Sequence, residues 1–186
     1  MPDRNQPAAL LPRLTLVLGG ARSGKSRHAE ALVEAAAPAG LYLAPAEPLD
    51  AEMRARIEHH RARRGARWTT IEEPLALAPL LAAEARPGRP ILVDCLTLWL
   101  SNVMHAGREP DAEIAVVVAT LETLRGPVVM VANEVGLGIV PESALARAFR
   151  DHAGRLNREI AAVADRVVFI AAGLPLVLKD AVAARA

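Results

Sequence analysis

Residues 16–32 read LVLGGARSGKSRHAEAL, an apolar run joined to a helix-forming run through a glycine-rich turn. Within it Gly19, Gly20, Ala21, Arg22, Ser23, Gly24, Lys25 and Ser26 satisfy G-x-x-x-x-G-K-[ST]. That pattern acquires meaning from its flanks. A buried strand must deliver the chain to the turn, and a helix must leave it, so that successive backbone N–H groups and the positive helix end converge on one anion. Leu14–Leu18 supplies the strand, and Ser26–Ala37 is rich in helix formers until Pro38 and Gly40 stop it. Lys25 can then reach the β- and γ-phosphates, and the Ser26 hydroxyl is placed to ligate Mg²⁺. A nucleoside triphosphate site follows.

Working outward, the same alternation continues. GLYLA (40–44), WTTIEE (68–73), ILVDCL (91–96), PVVMVANE (127–134) and RVVFIAAG (166–173) read as strands, the last being the final one. Between them, 50–64, PLALAPLLAAEA (74–85, with Pro79 as an internal irregularity), LWLSNVMHA (98–106), DAEIAVVVATLETL (111–124) and 141–164 read as helices. PGRP (87–90) is a turn. Connections too long for hairpins give an α/β fold of P-loop NTPase type, a mostly parallel sheet with helices on both faces. Residues 14–180 are expected to form one nucleotide-binding catalytic domain. Pro2, Pro7 and Pro12 mark 1–13 as a loose leader, and 181–186 as a tail expected to fray.

Composition removes several function classes. Formal net charge is +1 and aromatics make up 3%, which fits neither the basic footprint nor the stacking platform of a nucleic-acid binder. Cys95 is the only cysteine, so no disulfide framework or cysteine zinc cluster can form. No apolar run approaches the roughly 18 residues of a membrane span, and the first residues lack the pattern of a secretion signal. The cytoplasm is the expected location.

A triphosphate site needs a carboxylate opposite the lysine. Asp94 ends the apolar strand ILVD, as a metal-holding acid of this fold class would, though an aspartate there could also serve as an ordinary cap. Glu134 ends the strand PVVMVANE and suits either substrate or metal positioning, or capping of the next segment. In EMRARIEHHRARR (52–64), Met53, Ile57 and His60 fall on one helical face, with His59 turned about 100° away. Histidine can act as nucleophile or proton carrier, and Arg61, Arg63 and Arg64 could clamp phosphate oxygens. Spacing alone favours the plainer account of a half-buried His60 and a solvated His59, and allows a solvated arginine face. A plain small-molecule kinase would need no such histidine, and a nucleotide-dependent switch or assembly ATPase would need no small-molecule acceptor.

GGARSGKSRHAEAL, D-x-E-M-x-A-R-I-x-H-H, VANEVGLGIVPES and ARAFRDHAGRLNREIAAVAD, in this order, resemble the bifunctional adenosylcobinamide kinase and adenosylcobinamide-phosphate guanylyltransferase family of cobalamin biosynthesis. The resemblance spans Leu14 to Lys179. It implies phosphorylation of adenosylcobinamide by ATP or GTP, then transfer of GMP from GTP through a guanylyl-histidine to the phosphorylated corrinoid. The resemblance carries the guanylylated histidine onto His60, with His59 as the alternative. It also implies nucleotide contacts at Gly19–Ser26, at Ala44, Pro45 and Ala46, at Arg61, Ala62, Arg63 and Arg64, and at Glu72 and Asp94. Mg²⁺ would be held by Ser26 and Asp94, and the family is expected to form a homotrimer. Asp94 stands where some members carry Glu.

Overall fold

The computed structural model describes residues 11–45 and 65–181. The expected helix over 50–64 lies outside them, with His59, His60, Arg61, Ala62, Arg63, Arg64 and Ala46. Among the described residues seven strands form one sheet: β1 (Leu14–Gly19), β2 (Gly40–Ala44), β3 (Trp68–Glu72), β4 (Ile91–Asp94), β5 (Val128–Asn133), β6 (Arg166–Ala171) and β7 (Leu174–Asp180). Their order is β3-β2-β4-β5-β1-β6-β7, all parallel except β7, which runs antiparallel to β6. Among the described residues five helices connect them: α1 (Lys25–Ala36), α2 (Leu77–Glu84), α3 (Leu96–His105), α4 (Pro110–Thr123) and α5 (Ala144–Val163).

Strand alternation sorts the core into two layers. Leu14, Leu16 and Leu18 of β1 join Leu41, Leu43, Ile91, Val93, Val128 and Met130 on one face, under α2 to α5. On the other face Val17, Tyr42, Leu92, Val129 and Val131 meet Ala29 and Val33 of α1, an i, i+4 pair. The long helix α5 buries Ala153, Leu156, Asn157 and Ile160, an apolar stripe at helical spacing interrupted by one asparagine. Helix α4 starts with Pro110 and carries Asp111 and Glu113 in its first turn, where a fixed φ and negative charge both favour a helix start.

The structure corrects two sequence readings. RVVFIAAG is not the final strand: β7 follows β6 through the two-residue loop Ala172–Gly173, whose φ values are 51° and 80°. Two positive φ angles make the tight hairpin turn that matches strand twist. Lys179 is held, its Nζ donating to the carbonyls of Ala161 (3.0 Å) and Ala162 (2.8 Å). Asp180 accepts from Arg166 at 2.8 Å. Pro79 causes no interior irregularity either, because α2 begins at Leu77 and places it in the first turn, where proline's missing N–H is tolerated. At the other end Arg13 donates to the carbonyls of Leu121 (2.6 Å) and Val163 (3.2 Å), so the chain is already fastened as it enters β1.

Candidate active site

Five neighbouring parallel strands end along one edge of the sheet, and this assembles the site. Glu72, Ala44, Asp94, Asn133 and Gly19 are their last residues, with Ala44 paired to Glu72 and Gly19 to Asn133. Residues far apart in sequence are thus brought into one row at the carboxyl edge, where open α/β sheets hold ligands.

At Gly19 the chain leaves β1 for the phosphate loop. A Cβ there would lie 2.5 Å from the Ile170 carbonyl oxygen and 2.7 Å from Ser23 Oγ, so only glycine fits. Gly24 takes φ 99° as the cap of α1, a left-handed conformation that L side chains resist. Inside the loop the Ser23 hydroxyl is buried with no hydrogen-bond partner among the described residues. Ala21, Arg22 and Gly24 are exposed, and Gly20 and Ser26 are half-buried. The Gly173 N–H donates to the Ser23 carbonyl at 3.0 Å, so the β6–β7 turn braces the loop from outside.

Lys25 is buried, and its ammonium donates to the Gly20 carbonyl at 2.8 Å. Burial lowers its pKa, opposed by attraction to Cys95 and Asp94. The Asp94 carboxylate is thus close enough to Lys25 to favour its charged form. Asp94 shares its strand face with Leu92, the register partner of Tyr42 on β2. The Tyr42 phenol donates to Asp94 Oδ2 at 2.8 Å. Ser26 and Asp94 are hard oxygen donors suited to Mg²⁺, which is commonly held by one or two side chains together with substrate phosphates. Among the described residues no group of three or more His, Cys, Asp and Glu side chains gathers as a metal site.

The paired glutamates at the end of β3 are distinguishable. Glu73 accepts from the N–H groups of Leu75 (2.9 Å) and Ala76 (2.7 Å), which together hold its carboxyl below the usual range. It thereby fixes the turn that leads into α2. Glu72 stands exposed at the sheet edge. Glu134 likewise caps, accepting from the Gly136 N–H at 2.6 Å, while its own N–H donates to the Gly19 carbonyl.

Three positioning contacts were not legible from the sequence. Asn102 of α3 donates to the carbonyls of Pro45 (2.7 Å) and Pro74 (3.2 Å), tying together the segments that follow β2 and β3. Thr97 accepts from the Asn133 N–H at 2.8 Å, which fixes the end of β5. Tyr42 is the third. It is the only tyrosine in the chain, set in the apolar strand GLYLA. A buried phenol demands a partner, which was the available signal.

With this geometry in place, the sequence pattern of the cobinamide kinase / cobinamide phosphate guanyltransferase family matches residues 15–178. The chain belongs to that family. It is 50% identical over 166 residues to the bifunctional adenosylcobalamin biosynthesis protein CobP of Pseudomonas aeruginosa, covering 88% of this chain and 96% of that protein. To the bifunctional adenosylcobalamin biosynthesis protein CobU of Salmonella typhimurium it is 44% identical over 181 residues, covering 89% and 99%. Among solved structures, the RadB recombinase is similar at TM-score 0.52 and 13% identity, over 86% of this chain and 75% of that one. A type III secretion system ATPase matches at TM-score 0.55 and 11% identity, over 94% and 58%. Those distant likenesses establish the P-loop NTPase fold alone. Among the described residues, no helix is long and apolar enough to cross a membrane.

Proposed function

We propose that this enzyme phosphorylates adenosylcobinamide and then guanylylates the product, giving adenosylcobinamide-GDP for adenosylcobalamin synthesis. The observation that carries the reading is a built phosphate loop with Lys25 buried in it and Asp94 at the same sheet edge, in a chain whose family match runs from 15 to 178. In the first reaction the corrinoid's aminopropanol hydroxyl attacks the γ-phosphorus of ATP or GTP. A new O–P bond forms as the bond to the β-phosphate oxygen breaks, and the nucleoside diphosphate leaves. Backbone N–H groups of Gly19–Lys25 and the α1 N-terminus hold the phosphates, and Lys25 balances charge on the leaving side. Mg²⁺ held through Ser26 and Asp94 would neutralise phosphate charge.

In the second reaction a His60 ring nitrogen attacks the α-phosphorus of GTP and pyrophosphate leaves. The phosphate of the phosphorylated corrinoid then displaces the histidine and receives GMP. Covalent catalysis divides one difficult displacement into two easier ones. Ala44, Pro45, Ala46, Arg61, Ala62, Arg63, Arg64, Glu72 and Asp94 would contact the nucleotide. The corrinoid would lie over the loops at the carboxyl ends of the strands. We place the enzyme in the cytoplasm, where its nucleotide substrates are made, as a homotrimer. Exposed Leu137, Ile139, Leu174 and Leu176 are consistent with surfaces that an assembly covers. Light scattering should return a particle of three times the 19.7 kDa chain mass.

The deciding experiment incubates the protein with Mg²⁺ and GTP labelled separately at the α- and γ-phosphates, then denatures and maps peptides. Expected is α-label on the peptide holding His59 and His60, labile to acid and stable to base. His60→Ala should lack the adduct and His59→Ala retain it, both with γ-phosphoryl transfer preserved. Transfer to adenosylcobinamide without any adduct would leave a monofunctional kinase.

A further inference from the structure

Asp94 is half-buried at the end of a strand, and a carboxylate in that position has two rotatable bonds and several staggered choices. The strand therefore does not by itself determine which oxygen faces Lys25 and the phosphate loop. What the structure adds is a neighbour on β2. Tyr42 is 3% exposed, and its phenol donates to Asp94 Oδ2 at 2.8 Å. Its ring is fixed in turn: Trp68 on β3 packs edge-on at a centroid separation of 5.8 Å and 85°. The Trp68 indole N–H donates to Glu34 Oε1 of α1 at 3.2 Å. Gly40 leaves room for this indole, since a Cβ there would come within 2.9 Å of Trp68 Cζ3. A line of contacts thus runs from α1 through β3 and β2 to the acid on β4.

We propose that Tyr42 is a positioning residue for the nucleotide site, engaging one oxygen of Asp94 so that the other is presented toward Mg²⁺ and the phosphates. The proposal rests on the reading of Asp94 as the metal-side carboxylate. Hydrogen-bonded partners of metal-ligating groups fix ligand orientation, and their loss weakens metal affinity by about tenfold to a hundredfold. Tyrosine suits the task here because its ring fills the core between Trp68 and Leu92 while only its tip is polar.

Tyr42→Phe removes the hydroxyl and keeps the ring, so it isolates the hydrogen bond from the packing. Binding of a fluorescent GTP analogue would be titrated with Mg²⁺ in wild type, Tyr42→Phe, Asp94→Asn and the double variant, beside binding in EDTA. Expected is a rise of about tenfold in the Mg²⁺ concentration giving half-maximal binding for Tyr42→Phe, with affinity in EDTA unchanged. In the Asp94→Asn background the second change should add nothing. An unchanged Mg²⁺ requirement in folded Tyr42→Phe overturns the proposal, as does equal weakening with and without Mg²⁺, the mark of a merely structural residue. A wild-type Mg²⁺ requirement that Asp94→Asn leaves intact overturns it through Asp94. Failure of wild type to bind the nucleotide at all would instead remove the functional reading beneath it.

Discussion

Cys95 follows Asp94 and caps α3, a place where a thiol is often activated because helix N-termini favour the thiolate. Here the opposing effects are larger. Burial comes first and the Asp94 charge second, and they outweigh the N–H groups of Leu98 and Thr97, leaving the thiol pushed up to about 11. The sole cysteine is therefore a packing residue beside the site. At pH 8 iodoacetamide should alkylate the folded protein about a hundredfold more slowly than urea-unfolded protein, because the thiolate fraction falls tenfold per unit. Comparable rates in the two states would sink this account. At the residue scale the sequence is legible where its signals are local. Gly19, Gly24, Lys25 and Asp94 could be picked out because a motif or a strand end marks them. Tyr42 and Asn102 could not, since their partners lie 52 and 57 residues away and only folding brings them together.

Whole elements extend the argument. Most strands were legible because parallel strands buried on both faces are short apolar runs, and most helices because Gly, Pro and acidic first turns mark their limits. The hairpin into β7 escaped for a specific reason: its turn is Ala172–Gly173, whereas the recognisable signal is Asn-Gly or Asp-Gly. The start of α2 offers a test at this scale. Glu73, whose carboxylate holds the turn just before it, has a folded-state pKa below its ordinary value, chiefly from the N–H groups of Ala76 and then Leu75. A depressed carboxyl stabilises the fold above its unfolded pKa, and that contribution is lost as pH falls through the folded pKa. Glu73→Ala should lower stability by about 1 kcal/mol at pH 7. The gap from wild type should close in acid, and urea melts across pH would reveal a pH-independent gap if the carboxylate were unimportant.

For the molecule as a whole, the phosphate loop depends on chain that no motif marks. β1 lies between β5 and β6, so the loop leaving it is bordered by the end of β6 and the turn into β7. Ile170 contributes a carbonyl that closes the space beside Gly19, and Gly173 contributes the N–H received by the Ser23 carbonyl. The loop is thereby held between its own helix and the last hairpin. Deleting residues 173–186 retains the G-x-x-x-x-G-K-S stretch, Asp94 and the histidine pair, yet it removes that brace, the β6–β7 ladder and the Arg166–Asp180 ion pair. Losing a few kcal/mol in a chain of this size lowers Tm by about 5 °C or more. A phosphate loop freed on one side must also be ordered by the nucleotide itself. Below the truncated protein's Tm, nucleotide affinity should therefore fall by about tenfold, the scale of one hydrogen bond to a ligand-holding segment. Unchanged affinity in a folded truncation would mean that the loop is organised by β1 and α1 alone, and that β7 serves only the edge of the sheet.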